Sequence, residues 1–151
     1  MARDVWKPNV TVAAIIEKDG RFLLIEEHAF GALVLNQPAG HWEQDETLVE
    51  ACAREALEES AHPFTPSALV GIYSAHASPE DVTYLRFAFA GHVGARDAAR
   101  ALDRGIVRTL WMTADEVRAS RARHRSPLVL RCVEDYIAGR RYELDLLHHF
   151  R

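Results

Sequence analysis

The chain has 151 residues, 48% hydrophobic and 26% charged, with a formal net charge of −4, which suits one globular domain spanning 1–151. The negative balance argues against a sequence-independent nucleic-acid binder, no apolar run reaches the length of a membrane span, and MARDVWKPNV lacks a signal-peptide core. Two cysteines, Cys52 and Cys132, are too few for a cysteine-based metal site; free thiols in a reducing compartment, the cytoplasm, are the expectation.

Residues 1–8 read as an irregular lead-in, with Trp6 expected to pack on the core. VTVAAIIE (10–17) is a β-branched run that predicts a buried strand, Lys18-Asp19-Gly20 is a hairpin signal, and RFLLIE (21–26) is the partner strand. Glu26 and Glu27 read as surface positions of this hairpin. A loop around Gly31 and a short apolar run lead to the loop Gln37-Pro38-Ala39-Gly40. Beyond it, Trp42 either packs the loop against the sheet or forms a wall of a substrate pocket.

The next stretch is dominated by acid. Asp45 and Thr47 offer N-cap oxygens, Thr47 and Glu50 have capping-box spacing, and Pro63 stops the helix. Leu48, Val49, Cys52, Ala53 and Ala56 form its apolar face. Glu55, Glu58 and Glu59 fall within an arc of roughly 100° on one face. Like charges one turn apart destabilise a helix, so a compensating cation is implied, and Mg²⁺ favours a few carboxylates together with phosphate oxygens.

Strands are predicted at 68–75 and 82–92. The second alternates clearly: Val82, Tyr84, Arg86, Ala88 and Ala90 share one face, and Leu85, Phe87 and Phe89 form the core face. Arg86 is then a lone cation beside Tyr84, fitted either to a phosphate or to a neighbouring carboxylate. Residues 94–105 read as a polar, mobile loop and 106–112 as a strand. Thr113 caps a short helix with Glu116 at the capping-box position. Ser126-Pro127 opens another helix that Gly139 ends. The tail is expected to pack through Tyr142, Leu144, Leu146 and Leu147, with His148 and His149 exposed.

The spacing Gly40, Glu46, Arg54-Glu55, Glu58-Glu59 resembles the Nudix box, G-x5-E-x7-R-E-U-x-E-E-x-G-U. Ala61 stands at its second glycine and His62 at its final apolar position, which puts the helix exit in question. Outside the box, VTVA, NQPAGH, DETLVEA, LRF, RSPLV and GRRYELDLL resemble the NudJ-like phosphatase subgroup. The resemblance implies an α+β fold, an α/β/α sandwich with a mixed sheet and the Nudix loop-helix. It implies hydrolysis of phosphoanhydride bonds in nucleoside di- or triphosphates or thiamin-pathway pyrophosphates. It also implies Mg²⁺, with Mn²⁺ a possible substitute, held by Glu55, Glu58, Glu59 and the Ala39 carbonyl. Gly40 and Glu46 take structural roles, and Arg54 is expected to orient Glu55. The base is one of these glutamates or a loop carboxylate, with Glu80, Asp81 and Asp103 as candidates; Trp42, Tyr84 and Arg86 are candidate substrate contacts. The expected partner is a small di- or triphosphate, and the chain a monomer or homodimer. Two other readings stand beside the hydrolase: a nucleotide-binding regulator without turnover, and a structural domain with an acidic helix.

Overall fold

The computed structural model describes residues 3–151. Its strands are β1 (Asn9–Ala14), β2 (Glu17–Lys18), β3 (Arg21–Ala29), β4 (Ala32–Asn36), β5 (Ala39–His41), β6 (Phe64–Ala77), β7 (Val82–Val93) and β8 (Ile106–Thr113). Its α-helices are α1 (Leu48–Ser60), α2 (Ala114–Ala119) and α3 (Leu128–Ile137).

One sheet has the order β5-β1-β7-β6, with β1 and β7 parallel and the other pairs antiparallel. The other is centred on β3, with β8 along one edge and β2 and β4 end to end along the opposite edge. The β-branched run predicted as one strand serves both sheets. Ile15 N–H donates to Phe89 O at 2.8 Å in the first sheet, and Ile16 O accepts from Leu23 N–H at 2.9 Å in the second. Asp19 and Gly20 then turn the chain with φ of 52° and 78°, the left-handed pair that a two-residue hairpin requires.

Period-2 alternation explains the layers. Val12, Ala14, Ile16, Leu69 and Phe89 face Ala51, Cys52 and Ala56 of α1. Ala13, Ile15, Leu24, Val70 and Ala88 face the other way, onto Val117 of α2 and Val129, Cys132 and Val133 of α3. Helices therefore cover both faces of a mixed sheet assembly, the α/β/α sandwich expected.

Several local expectations are corrected. The Phe face of β7 is not the only core face, since α3 covers the other, and Arg86 is buried there. Glu26 and Glu27 are buried rather than surface positions. β3 runs three residues further than predicted, into a tight hairpin through Phe30 and Gly31, with φ of 53° and 74°. β6 begins at Phe64, ahead of the predicted start, because Pro66 lies on the sheet's edge strand at a register shift, where a missing N–H is tolerated. Trp6 is 72% exposed and off the core, and in the tail Leu144 and Leu147 pack while Leu146 does not. The 94–105 loop is tied to the exit of α1: Asp97 N–H donates to Ala61 O (2.8 Å) and Asp103 N–H to Glu58 O (3.0 Å).

Candidate active site

α1 starts where the sequence predicts. Thr47 is its N-cap, with Thr47 Oγ1 accepting from Glu50 N–H and Glu50 Oε1 accepting from Thr47 N–H. The approach loop is held by Arg54. Its Nε and Nη2 donate to the two oxygens of Glu46 at 2.9 and 2.8 Å, and Nη2 also donates to His41 O at 3.0 Å. Glu46 in turn accepts from Glu43 N–H, and the Arg54 guanidinium holds its carboxyl below the usual range. Trp42 belongs to this scaffold. Its indole N–H donates to Glu46 O at 2.7 Å, and it is not among the residues lining the cavity described below.

The three box glutamates are engaged separately. Arg54 Nη1 donates to Glu55 at 2.9 Å and to Glu58 at 3.2 Å, so the guanidinium stands between them. Glu59 accepts from Ala39 N–H at 2.8 Å. Among the described residues no cluster of three His, Cys, Asp or Glu side chains is gathered around one ion position. The backbone beside them explains the loop sequence. β5 is an edge strand, and Pro38 O and Trp42 N–H bond to β1 on either side of Gly40. Alternation in the ladder then turns the Ala39 N–H and carbonyl toward the free edge, where Glu59 lies. Gly40 is required sterically, because a Cβ there would stand 2.1 Å from Glu55 Cδ.

This edge opens into a cavity of about 570 Å³. Ala39, Gly40, Glu55 and Glu59 line it from β5 and α1, and Glu27, Phe30, Tyr84, Arg86, Arg125 and Leu128 line it from β3, β7 and the segment entering α3. Tyr84 and Arg86 thus reach the site as candidates from the sequence. Among the loop carboxylates Glu80 lines the cavity, Asp103 is near enough to raise both Glu55 and Glu59, and Asp81 is exposed and paired with His76. Sequence reasoning passed over Glu27, paired with Arg125 at 2.5 Å, and Phe30, over which Arg125 lies at 5.4 Å. Two carboxylates closing the apolar strand RFLLIEE were the available signal.

Burial pushes Glu55 up to about 7 against the opposing pull of Arg54, and Glu59 up to about 8 despite its bond from Ala39. Each is raised further by neighbouring carboxylates, including Asp103 and, for Glu59, Glu27. The edge therefore keeps protons on its carboxylates that a bound cation would displace, and its donors are all oxygen. That donor set fits a hard divalent cation, with buried Glu55, half-buried Glu59 and the Ala39 carbonyl at one strand edge.

Residues 6–132 match the family model described as the NUDIX domain, and the chain belongs to the Nudix hydrolase family. It is 38% identical over 146 residues to phosphatase NudJ from Escherichia coli (strain K12), covering 97% of this chain and 94% of that one, with the same figures for phosphatase NudJ from Shigella flexneri. A NUDIX hydrolase from Nitrosomonas europaea superposes with a TM-score of 0.93 at 54% identity, covering 95% of this chain and 98% of that chain. A MutT protein from Methanosarcina mazei Go1, at 22% identity and a TM-score of 0.70 over 90% and 99% of the two chains, shares the fold. The chain is a pyrophosphohydrolase of this family, acting on small molecules.

Proposed function

We propose that the protein is a Mg²⁺-dependent hydrolase of nucleoside di- or triphosphates or of other small organic pyrophosphates, thiamin-pathway pyrophosphates among them, with Mn²⁺ able to replace Mg²⁺. The observation that carries the reading is the pair of carboxylates, buried Glu55 and half-buried Glu59, lining a cavity of about 570 Å³ beside the β5 edge. Glu55, Glu58, Glu59 and the Ala39 carbonyl would hold the cation. When bound, it supplies charge neutralisation at phosphate and a water acidified toward neutrality.

The chain's own residues do the rest. Arg54 fixes the Glu55 carboxylate and, through Glu46 and His41 O, locks the loop that carries Gly40. Ala39 N–H orients Glu59. A carboxylate must take the proton from the attacking water, and Glu58 at 30% side-chain exposure, Glu27, Glu80 and Asp103 are all within the site's perimeter. Two buried free thiols agree with a reducing, cytoplasmic setting.

Product analysis tests this. The native chain and Glu58→Gln are given nucleoside di- and triphosphates, thiamin diphosphate and nucleotide sugars, with and without Mg²⁺. Mg²⁺-dependent turnover that falls about a thousandfold in Glu58→Gln is expected, several kcal/mol of lost charge stabilisation. Orthophosphate released from simple nucleotides supports a NudJ-like phosphatase, and turnover of nucleotide sugars alone removes it. Bound nucleotide with no turnover of any substrate would turn the assignment to a binding regulator.

A further inference from the structure

Arg86 is a buried cation whose protein partners are all neutral. It is 6% exposed. Nη1 donates to Gln37 Oε1 at 2.9 Å and approaches Cys132 Sγ at 3.8 Å, and Nη2 donates to Asn36 Oδ1 at 3.0 Å. The carboxylates of this region are taken by other arginines: Glu26 by Arg108 and Arg123, Glu27 by Arg125, Asp135 by Arg131 and Arg140. A guanidinium does not give up its charge, and an uncompensated buried charge is expensive to fold around. The fold keeps it with care. The Gln37 amide is itself aimed by donating to Val129 O at 2.7 Å, which leaves its oxygen for Arg86. Two carboxamides hold two prongs of the fork, and the side chain lines the same cavity as Glu55 and Glu59.

The strand register gives the distance from the carboxylate edge. His41 pairs with Thr11, and Thr11 with Arg86, so these residues form one row across β5, β1 and β7. Neighbouring strands are about 4.8 Å apart, so the Arg86 Cα lies about 10 Å from that of His41. His41, Thr11 and Arg86 all line the cavity. A phosphate chain with one end at the edge of β5 would run over Thr11 toward a preset guanidinium, whose N–H groups not taken by Gln37 and Asn36 can donate to phosphate oxygens.

Resting on the hydrolase reading of this cavity, we propose that Arg86 is the anchor for the substrate's phosphate chain, binding an oxyanion of the phosphate remote from the carboxylate edge. The counter-charge missing from the fold arrives with the substrate, which selects di- and triphosphates over monophosphates.

The test compares the native chain with Arg86→Met and Arg86→Lys, each checked for folding by circular dichroism. Binding of inorganic tripolyphosphate and of the phosphate-free nucleoside is measured by calorimetry with Ca²⁺ as the divalent ion. kcat and KM are measured separately with Mg²⁺. Arg86→Met is expected to bind tripolyphosphate about 10- to 100-fold more weakly, the range for charged hydrogen bonds. Its KM should rise by a similar factor, with kcat within about threefold and nucleoside affinity unchanged. Arg86→Lys, which keeps the charge and loses the fork, should fall between. Should the Met variant not fold, Arg86→Lys decides alone, and a native-like tripolyphosphate affinity overturns the anchor. A loss of nucleoside affinity in place of tripolyphosphate affinity also overturns it, giving Arg86 to the leaving group, as does a native chain that binds no tripolyphosphate. Arg86-dependent tripolyphosphate binding in a chain with no turnover would remove the hydrolase reading and leave the anchor standing.

Discussion

The two walls of the cavity are built in opposite ways. The carboxylate edge comes from residues 39 to 59, a short strand, the loop after it and a capped helix, cross-linked by Arg54. The facing wall is gathered from the tip of β3, from β7 and from the segment that leads into α3, with one ion pair, Arg125 to Glu27, joining positions 98 residues apart. The first wall crowds carboxylates that burial keeps protonated, and the second holds Arg86, a cation bonded to carboxamides and to no carboxylate. The lesson is a division of labour. Local sequence makes the part that every substrate of the class needs, and tertiary packing makes the part that meets a particular substrate.

The sharpest way to break this division is at Gly40. Its φ is not in the left-handed region, so alanine is allowed by the backbone. The obstacle is Glu55, whose carboxylate atoms would lie 2.1 to 2.4 Å from the new Cβ. The flexible end of Glu55 must swing away, a displacement on the order of 1 Å or more, and misplacement of that size costs about 100-fold in rate. Gly40→Ala is expected to lower kcat/KM by about that factor with little change in tripolyphosphate binding at the facing wall. Equal losses in both would mean that the walls are not independent.

How much of this was legible follows the same line. The capping boxes of α1 and α2 and the row of glutamates were readable because each depends on residues within a turn or two. Glu27 was read as a surface hairpin position because its burial depends on Arg125 and on β8, far along the chain. Arg86 was placed on the correct face of its strand, but its two partners were not foreseeable. A carboxylate is one expected partner, and the structure supplies carboxamides from the end of β4 and the loop after it, 50 and 49 positions away. Of the two readings of Trp42, loop packing or a pocket wall, the structure puts its indole N–H on Glu46 O within the loop. An indole suits both tasks, and only the folded loop decides between them.

A second way to test the comparison is through pH. Glu55 and Glu59 titrate near 7 and 8 in the fold and near 4.5 when exposed. The folded chain therefore holds protons that the unfolded chain has released, and stability falls as pH rises from about 4.5 toward 8. The other shifted groups contribute little over the range from pH 7 to 8. The lowered carboxylates Glu26, Glu46 and Asp135 have given their full contribution well below it. His62 and His124, held down by burial, add a small rise of opposite sign that fades as pH climbs above the ordinary histidine value of 6.5. The cysteines begin to count only near 9. Denaturation in chelator should lose about 1 kcal/mol between pH 7 and 8. Saturating Mg²⁺ should abolish the loss, since the cation takes the place of the protons. Glu59→Gln should make the slope shallower without Mg²⁺. A slope unchanged by Mg²⁺ would separate these carboxylates from the cation site.

The smallest expected effect concerns the exit of α1, where the box has glycine and this chain has alanine. Ala61 adopts φ 58° and ψ 21°, the left-handed cap that a glycine takes freely, and it is fully buried. Holding an alanine there costs about 1–2 kcal/mol. Against this, alanine narrows the unfolded ensemble by about 0.4–1 kcal/mol relative to glycine, and its buried methyl contributes about 0.8 kcal/mol. These terms nearly cancel, so the departure from the box is close to neutral rather than a defect awaiting compensation. Ala61→Gly should change unfolding free energy by less than about 1 kcal/mol in either direction and leave kcat unchanged. Ala61→Val, β-branched and too large for the site, should lose more than about 2 kcal/mol by combining left-handed strain with overpacking. A large gain in Ala61→Gly would mean that strain outweighs packing at this exit. A fall in activity with stability intact would mean that the exit sets the position of Glu58 through Asp103 N–H, which bonds to Glu58 O at 3.0 Å, and the helix would then serve the carboxylate edge along its whole length.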